Sequence, residues 1–373
     1  MNYFSLYSNC FVVDGYRRSC IYDLTRRRHY FVPLDLSKLL KVHENNELYE
    51  DLQDLYFENR KVIQEYIEFL TDKELCFYTK KPSLYPKLSL KEEVYYKISN
   101  IILEYSSKID LCKLKDIINY SNTGELELRF MKEIEIIEVK KILDCFKKTK
   151  LSSIKIIIPY IEGITKDKLF KIKKIYPKIT QFVFFNSPAE EYNYVDPYNQ
   201  IKLAFITSGI ELFDNRVMPM HFTINVNYYQ EAIMCNPYYY KKLFVNNQNN
   251  IVDSLCDQNI IESLDNISVD NLDAFFESNK TLNSLWYSKK DNTVICRDCE
   301  YKYMCVDPRV PAQRSNSLFF FKTNYQCPYN PYIAKWKGQD GWISVEQWRA
   351  ENPNWEEQAI QNRTQQQKEP HTV

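Results

Sequence analysis

The sequence has 373 residues, enough for two or three domains with substantial cores. Its 49 basic and 49 acidic side chains give a formal net charge of zero, so no broad nucleic-acid surface is indicated. No apolar run is long enough to span a membrane, and the first residues lack the pattern of a signal peptide. Eleven cysteines without such a signal predict reduced thiols in a cytoplasmic protein.

The first segment, residues 1–82, alternates β-branched and aromatic residues around polar turns, which predicts hairpin strands. We expect strands at residues 3–7, 10–13, 19–24 and 29–33 and a closing strand at 75–78. An apolar stripe at helical spacing predicts a helix between them, and its members are Val62, Ile63, Tyr66, Ile67 and Leu70. This order of elements is that of a small winged-helix module.

The middle segment, residues 88–227, alternates between strand and helix patterns. Strands are expected at 98–105, 125–130, 154–160, 179–185, 201–207 and 220–226, and helices at 110–120, 133–148 and 166–176. Such alternation predicts right-handed crossovers and a mostly parallel sheet. The repeats are too few for a closed eight-stranded barrel, so we expect a partial (β/α) barrel or an open sheet.

The segment 228–337 is rich in cysteine, and four of its thiols have the spacing of a metal site. Two residues separate Cys296 from Cys299, five separate Cys299 from Cys305, and Cys327 follows 22 positions later. A tight pair can chelate one metal centre because a short turn aims both sulfurs the same way. Buried or disulfide-bonded cysteines are the alternative. Spacing alone does not separate zinc from an iron–sulfur cluster.

The sequence therefore predicts an α/β protein of four parts. These are a winged-helix-like peptide-recognition module (1–82), a degenerate partial β/α barrel (88–227), a cysteine-rich metal domain (228–337) and a tryptophan-bearing tail (338–373). The polar end of the tail is predicted to be disordered.

The cysteine spacing, placed after β/α repeats, resembles the SPASM domain of peptide-modifying radical S-adenosylmethionine enzymes. In that domain the spacing supplies the four ligands of an auxiliary [4Fe-4S] cluster. The resemblance implies that Cys296, Cys299, Cys305 and Cys327 hold one such cluster. The family has a further cysteine where this chain has Arg309. Cys235 and Cys256 are the candidates for a second metal site.

Radical enzymes of this kind hold a catalytic cluster with a Cys-x3-Cys-x2-Cys triad, which this chain lacks. Without the open iron of that cluster, no site exists to bind and split S-adenosylmethionine. We therefore expect neither that cofactor nor ordinary radical chemistry. Whether the chain catalyses another reaction stays open.

Most of the chain resembles the SPASM-domain peptide maturases of grasp-with-spasm systems, which are encoded beside an ATP-grasp ligase and a short precursor peptide. Residues 3–24, 30–33 and 222–232 carry this resemblance. It implies a protein for the maturation of ribosomal peptide natural products, with that peptide and that ligase as partners and one [4Fe-4S] cluster. The alternatives are a metal-centre-dependent peptide-modifying enzyme and a zinc-stapled peptide-binding scaffold.

The N-terminal module resembles leader-binding elements, which add an extended peptide to a sheet edge with a helix as the other wall. Here residues 19–24 or 30–32 would be the edge and residues 62–70 the wall. The predicted contact residues are Arg17, Arg18, Cys20, Ile21, Tyr22, Tyr30, Ile63, Tyr66 and Ile67. Arginines on the hairpin, including 26–28, could pair with acidic leader residues. A solvated turn is the alternative.

Overall fold

A computed structural model gives the fold. It describes residues 3–43, 56–90, 96–196, 201–210, 217, 219, 222–313, 320–322 and 327–355. Among these residues no helix is both long and apolar enough to cross a membrane.

The described part of the N-terminal module consists of two small antiparallel sheets and two helices. Strand β1 (Tyr3–Leu6) pairs with β5 (Cys76–Thr79), and a second sheet has the order β2 (Cys10–Asp14), β3 (Ser19–Asp23), β4 (Arg28–Val32). Helices α1 (Leu34–His43) and α2 (Arg60–Asp72) follow β4 in the chain. Helix α2 buries Ile63, Ile67 and Leu70 along one face, as the apolar stripe predicts. The winged-helix assignment itself stays a prediction.

Nine strands form the largest sheet. They are β6 (Asn100–Glu104), β7 (Glu125–Arg129), β8 (Ser153–Pro159), β9 (Ile179–Phe185), β10 (Glu191–Asp196), β11 (Ile201–Phe205), β12 (Lys242–Val245), β13 (Asn250–Val252) and β14 (Ile260–Ser263). The order is β10-β11-β9-β8-β7-β6-β12-β13-β14. The six neighbouring strands β11-β9-β8-β7-β6-β12 pair in parallel. At the two ends of the sheet, β10, β13 and β14 pair antiparallel to their neighbours. The described strands therefore form an open, mostly parallel sheet that continues across the boundary predicted at residues 227 and 228.

Helices α3 (Leu111–Ser121), α4 (Ile136–Phe146) and α5 (Lys166–Ile175) connect successive parallel strands. Asp110 caps α3 by accepting a hydrogen bond from the backbone N–H of Lys113, and Thr165 caps α5 in the same way. Alternate strand residues, such as Leu128 and Ile156, pack with these helices in the main core.

The opposite face of the sheet carries a row of charged side chains. Glu127 of β7 lies directly across from Lys155 of β8 and accepts a hydrogen bond from its ammonium at 2.9 Å. Arg129 donates to the same carboxylate at 2.5 Å. Burial alone would raise the pKa of Glu127, but the two cations lower it to about 2. The three charges thus satisfy one another across neighbouring strands.

The strand predicted at 220–226 is wrong over its described part. Residues 222–225 are irregular, and helix α6 (Val226–Met234) begins at Val226. The Asn225 side chain accepts from the backbone N–H of Tyr228 at 2.8 Å, so it caps the helix. The alternating residues favoured a strand, and this local cap overrides them.

The remaining elements are short. They are α7 (Leu272–Ser278), α8 (Lys280–Trp286), the strand pair β15 (Pro311–Gln313) and β16 (Phe320–Lys322), the pair β17 (Tyr329–Asn330) and β18 (Lys335–Trp336), and α9 (Val345–Glu351). In the tail, the Trp348 ring stacks on Tyr332 with centroids 4.1 Å apart, and Trp355 is buried. The disorder predicted for the end of the tail concerns residues 361–370, which lie outside the described ranges.

Candidate metal centre and peptide-binding edge

A sharp turn leads into the first cysteine pair. Ile295 has φ +73° and ψ −53°, close to the strained γ-turn conformation, which a β-branched residue rarely adopts. A single 3-10 turn, Cys296–Asp298, follows, and the backbone N–H of Cys299 donates to the Cys296 carbonyl at 3.1 Å. Strained backbone of this kind concentrates at functional sites.

The four predicted thiols lie around one region of the structure. Cys299, Cys305 and Cys327 pack into a single cluster with Met304. Burial raises the pKa of Cys327 to about 12, opposed by nearby Arg309 and reinforced by the Cys305 and Cys296 thiols. Burial also raises the pKa of Cys299 well above its ordinary value, and Cys305 and Cys327 add to that shift. Each sulfur therefore lies within electrostatic reach of another member of the set.

All eleven cysteines are described, and none of them forms a disulfide bond, so the disulfide alternative is not what the structure contains. Among the described residues, no group of three or more His, Cys, Asp or Glu side chains is arranged closely enough to hold a metal ion. The four thiols are neighbours, but their sulfur atoms are not as close together as the ligands of one bound metal ion would be.

Buried cations accompany these thiols, and Lys290 and Arg309 are among them. The Lys290 ammonium, only 2% exposed, donates a hydrogen bond to the backbone carbonyl of Cys305. Burial alone would lower the pKa of Lys290, but the neighbouring Cys305, Tyr228 and Asp307 raise it above the ordinary value. No carboxylate of the described residues forms an ion pair with this ammonium. A buried ammonium needs a negative neighbour, and thiolates would supply it.

Arg309, another of these buried cations, stands at the position where the SPASM spacing has a further cysteine. The Arg309 guanidinium forms two hydrogen bonds of 2.9 Å with the buried Asp307 carboxylate. It is also close enough to Cys327 and Cys296 for their charges to raise its pKa. The position therefore holds a guanidinium that is paired with Asp307 and lies near the thiols.

The two cysteines predicted for a second metal site differ in their surroundings. Cys235 is buried at the C-terminal end of α6, where its backbone N–H donates to the Glu231 carbonyl at 2.9 Å. Cys256 is exposed and lines an open groove of about 820 Å³ together with Asp253 and Asp257. A metal site that uses both stays a prediction.

The N-terminal sheet docks directly onto the cysteine-bearing segment. Arg18 donates to the Glu300 carboxylate at 2.6 Å, and the Tyr22 hydroxyl donates to the Glu300 backbone carbonyl at 2.6 Å. The Tyr16 backbone N–H donates to the Asp298 carbonyl at 2.7 Å. The Glu300 side chain has no exposed surface, and it directly follows Cys299. A hairpin near the start of the chain therefore contacts the loop between two candidate ligands.

The order of strands in this sheet corrects one half of the predicted peptide edge. Strand β3 is the central strand of its sheet, paired with β2 on one side and β4 on the other, so it has no open edge. Its residues Cys20, Ile21 and Tyr22 are fully buried. The sequence pattern identified the strand, but strand order decides which strand lies at the edge.

The other predicted edge, β4, is the outer strand of the sheet. Tyr30 is half-buried, and its ring lies edge-on to Phe69 of α2 with centroids 6.3 Å apart. Tyr66 of α2 packs on the same core as Tyr30. Ile63 and Ile67 are buried in the module, so they support the helix and are not exposed to a ligand. Edge strand and helix therefore lie side by side, with the two tyrosines accessible.

The predicted arginine cluster divides into two groups. Arg18 is bound to Glu300, and Arg26 is bound to Asp23 and Glu74. The second group consists of Arg17, Arg27 and Arg28. These side chains are exposed and form no ion pair with another described residue. Only the second group can offer its full charge to a ligand.

Sequence reasoning missed Glu300 and Lys290. A carboxylate between two cysteines is typical of a solvated loop, and an isolated lysine in a lysine-rich chain carries no signal. Their importance depends on burial against residues far along the chain, which no local pattern records.

The sequence matches no family model and no curated protein. Among solved structures, the chain is similar to SuiB of Streptococcus suis, solved with S-adenosylmethionine bound. The similarity covers 81% of this chain and 94% of that one, with 9% identity and a TM-score of 0.33. We base no statement about fold or function on a likeness of that size.

Proposed function

We propose that this protein captures a short ribosomal precursor peptide on the open edge of β4 and carries one [4Fe-4S] cluster on Cys296, Cys299, Cys305 and Cys327. In this proposal it assists an ATP-grasp ligase that modifies the peptide. The observation that carries the proposal is the direct contact between the β2–β4 sheet and the cysteine-bearing segment, through Arg18 and Glu300. The ligase partner follows from the resemblance alone.

The donor chemistry supports the metal part of the proposal. Four thiols on one region fit both an iron–sulfur cluster and a tetrathiolate zinc. A cluster with four thiolate ligands is anionic, and the buried Lys290 ammonium provides positive charge beside it. When bound, such a cluster would relay electrons or tie the loops together. The residues of this chain would position it and balance its charge.

The edge of β4 supports the peptide part. Among the described strands β4 pairs only with β3, so its other edge would offer backbone donors and acceptors to an extended peptide, with α2 as the proposed wall. Arg27 and Arg28 are exposed at the start of β4, and Arg17 is exposed in the turn that precedes β3. Basic side chains thus stand near both ends of the edge, which favours an acidic leader.

The metal test is anaerobic reconstitution of the whole protein with iron and sulfide. We expect the iron and sulfide content of one [4Fe-4S] cluster in the unchanged protein, and loss of most of it in Cys299→Ala. Cys112→Ala removes an exposed cysteine on α3 and serves as the matched control. Binding of zinc instead of a cluster would favour the scaffold alternative. Retention of the cluster by Cys299→Ala would overturn the ligand assignment.

The peptide test uses synthetic peptides that correspond to the short reading frames beside the gene. We expect one of them to bind the whole protein, and its affinity to fall on Arg17→Glu and Arg28→Glu. Lys38→Glu reverses an exposed charge on α1 and should have little effect. Attraction between exposed charges should also weaken as salt is added. Binding that all three variants leave equal would refute the β4 site.

A further inference from the structure

We infer that Arg18 is a positioning residue that couples occupancy of the β4 edge to the cysteine-bearing segment 296–305. The inference rests on the proposed function, because it concerns what happens when a peptide lies on that edge. The connection begins at Phe31 of β4, passes to Arg18 and then to Glu300, and Glu300 directly follows Cys299 in the chain.

The two faces of β4 contact different parts of the protein. Tyr30 and Val32 face the core of the N-terminal module, whereas His29 and Phe31 alternate with them and face the cysteine-bearing segment. The Phe31 ring lies edge-on to Tyr301, with centroids 5.5 Å apart, and remains 38% exposed. A peptide strand added to β4 would therefore place every second side chain on the face of the sheet that carries His29 and Phe31.

Arg18 lies between this exposed ring and the buried carboxylate. Its guanidinium carbon is 3.6 Å from the centroid of Phe31, a cation–π contact, while its Nε donates to Glu300 at 2.6 Å. The Tyr329 hydroxyl donates to the same carboxylate, and Tyr329 lies two residues after Cys327. One arginine thus contacts an exposed edge residue and the Glu300 carboxylate, which directly follows Cys299 in the chain and accepts a hydrogen bond from Tyr329, near Cys327.

A ligand that fixes Phe31 should restrict Arg18 and, through it, the segment around Glu300. Coupling of this kind is reciprocal, so ordering of residues 296–305 should also favour peptide binding. Behind Phe31, the buried Tyr301 ring also contacts Phe222 and Trp336, at centroid distances of 5.1 and 5.7 Å. The partner that fits this face is an extended peptide with apolar or aromatic residues at alternate positions.

Hydrogen exchange on the whole protein tests the coupling, with the synthetic peptide that binds in the preceding experiment as probe. In the unchanged protein, peptide should slow exchange at residues 28–32 and, by about fivefold or more, at residues 296–305. In Arg18→Ala the protection at 28–32 should persist while that at 296–305 disappears. Arg26→Ala breaks an arginine pair confined to the N-terminal module and should behave like the unchanged protein.

Arg18→Lys separates loss of coupling from loss of folding. Lysine keeps the positive charge beside Glu300 but cannot stack a planar group on Phe31. The variant should show reduced protection at 296–305 with an unchanged thermal transition. Protection at 28–32 without any at 296–305 in the unchanged protein would overturn the coupling and leave the peptide site standing. Full protection at 296–305 in Arg18→Ala would show that Arg18 is not the link. No protection at 28–32 would refute the proposed function itself.

Discussion

A β-carbon on Gly15 would lie 2.8 Å from the backbone nitrogen of Glu300 and 2.7 Å from the carbonyl oxygen of Arg18. Real β-carbons almost never approach backbone atoms so closely, and backbone on both sides cannot move aside cheaply. Gly15 therefore lies where the β2–β3 turn packs closely against the cysteine-bearing segment.

Gly15→Ala should lower the free energy of unfolding by about 1–3 kcal/mol, because the added methyl group forces the two segments apart. Chemical denaturation measures the change. Gly124→Ala is the matched control, since the nearest atom to its β-carbon would be a side-chain oxygen at an ordinary 3.6 Å. Equal stability of the two variants would contradict the close docking of the turn.

Lys290→Met should weaken metal binding more than it weakens the fold. The methionine fills the space of the lysine stem, but it removes the ammonium beside Cys305, so thiolate charge is no longer balanced there. We expect zinc affinity in a chelator competition to fall about tenfold or more, equivalent to about 1.4 kcal/mol. Lys289→Met changes the neighbouring lysine, whose ammonium bonds the Ile233 carbonyl at 3.3 Å, and should leave the affinity unchanged. Equal zinc affinities for the two variants would argue against this role.

Stability should fall in acid because of Glu127. Its pKa is lowered from an ordinary 4.5 to about 2 in the folded protein, so the carboxylate stabilises the fold above pH 4.5 and the contribution is lost as pH falls towards 2. The contribution is about 3 kcal/mol. Denaturation at pH 6, 4 and 2.5 should show this loss, and Glu127→Gln should remove that part of the pH dependence.

The neighbouring Glu125 provides the control for this experiment. It is exposed on the same strand, so Glu125→Gln should keep the full pH dependence. A Glu127→Gln profile parallel to that of the unchanged protein would mean that Arg129 and Lys155 do not hold the carboxylate charged.

Trp348→Ala should destabilise the protein by about 3–5 kcal/mol, the usual cost of removing a large buried aromatic side chain. The indole stacks on Tyr332 and lies edge-on to Tyr16, so the described tail packs against the docked N-terminal turn. Thermal unfolding measures the effect. Gln347→Ala, at an exposed position on the same helix, should change stability by less than about 0.5 kcal/mol.

Local sequence determined most of the secondary structure. The alternation of β-branched residues located the described N-terminal strands, and the helical patterns at 110–120, 133–148 and 166–176 located three helices that the structure contains. These patterns succeed because side-chain periodicity and capping depend on residues only a few positions apart. The strand predicted up to residue 226 failed for the same reason, since one capping asparagine outweighed a weak alternation.

The sequence by itself also singled out the four cysteines, because metal spacing is a local property of the chain. Only the tertiary structure decided that β3 lies between two strands and that β4 is the open edge. It likewise decided that Arg18 and Glu300, 282 positions apart, form a pair in which the carboxylate is fully buried. Strand order and long-range burial arise from how separate segments pack. The free energy of that packing depends on contacts between segments far apart in the chain, so no single stretch of sequence determines it.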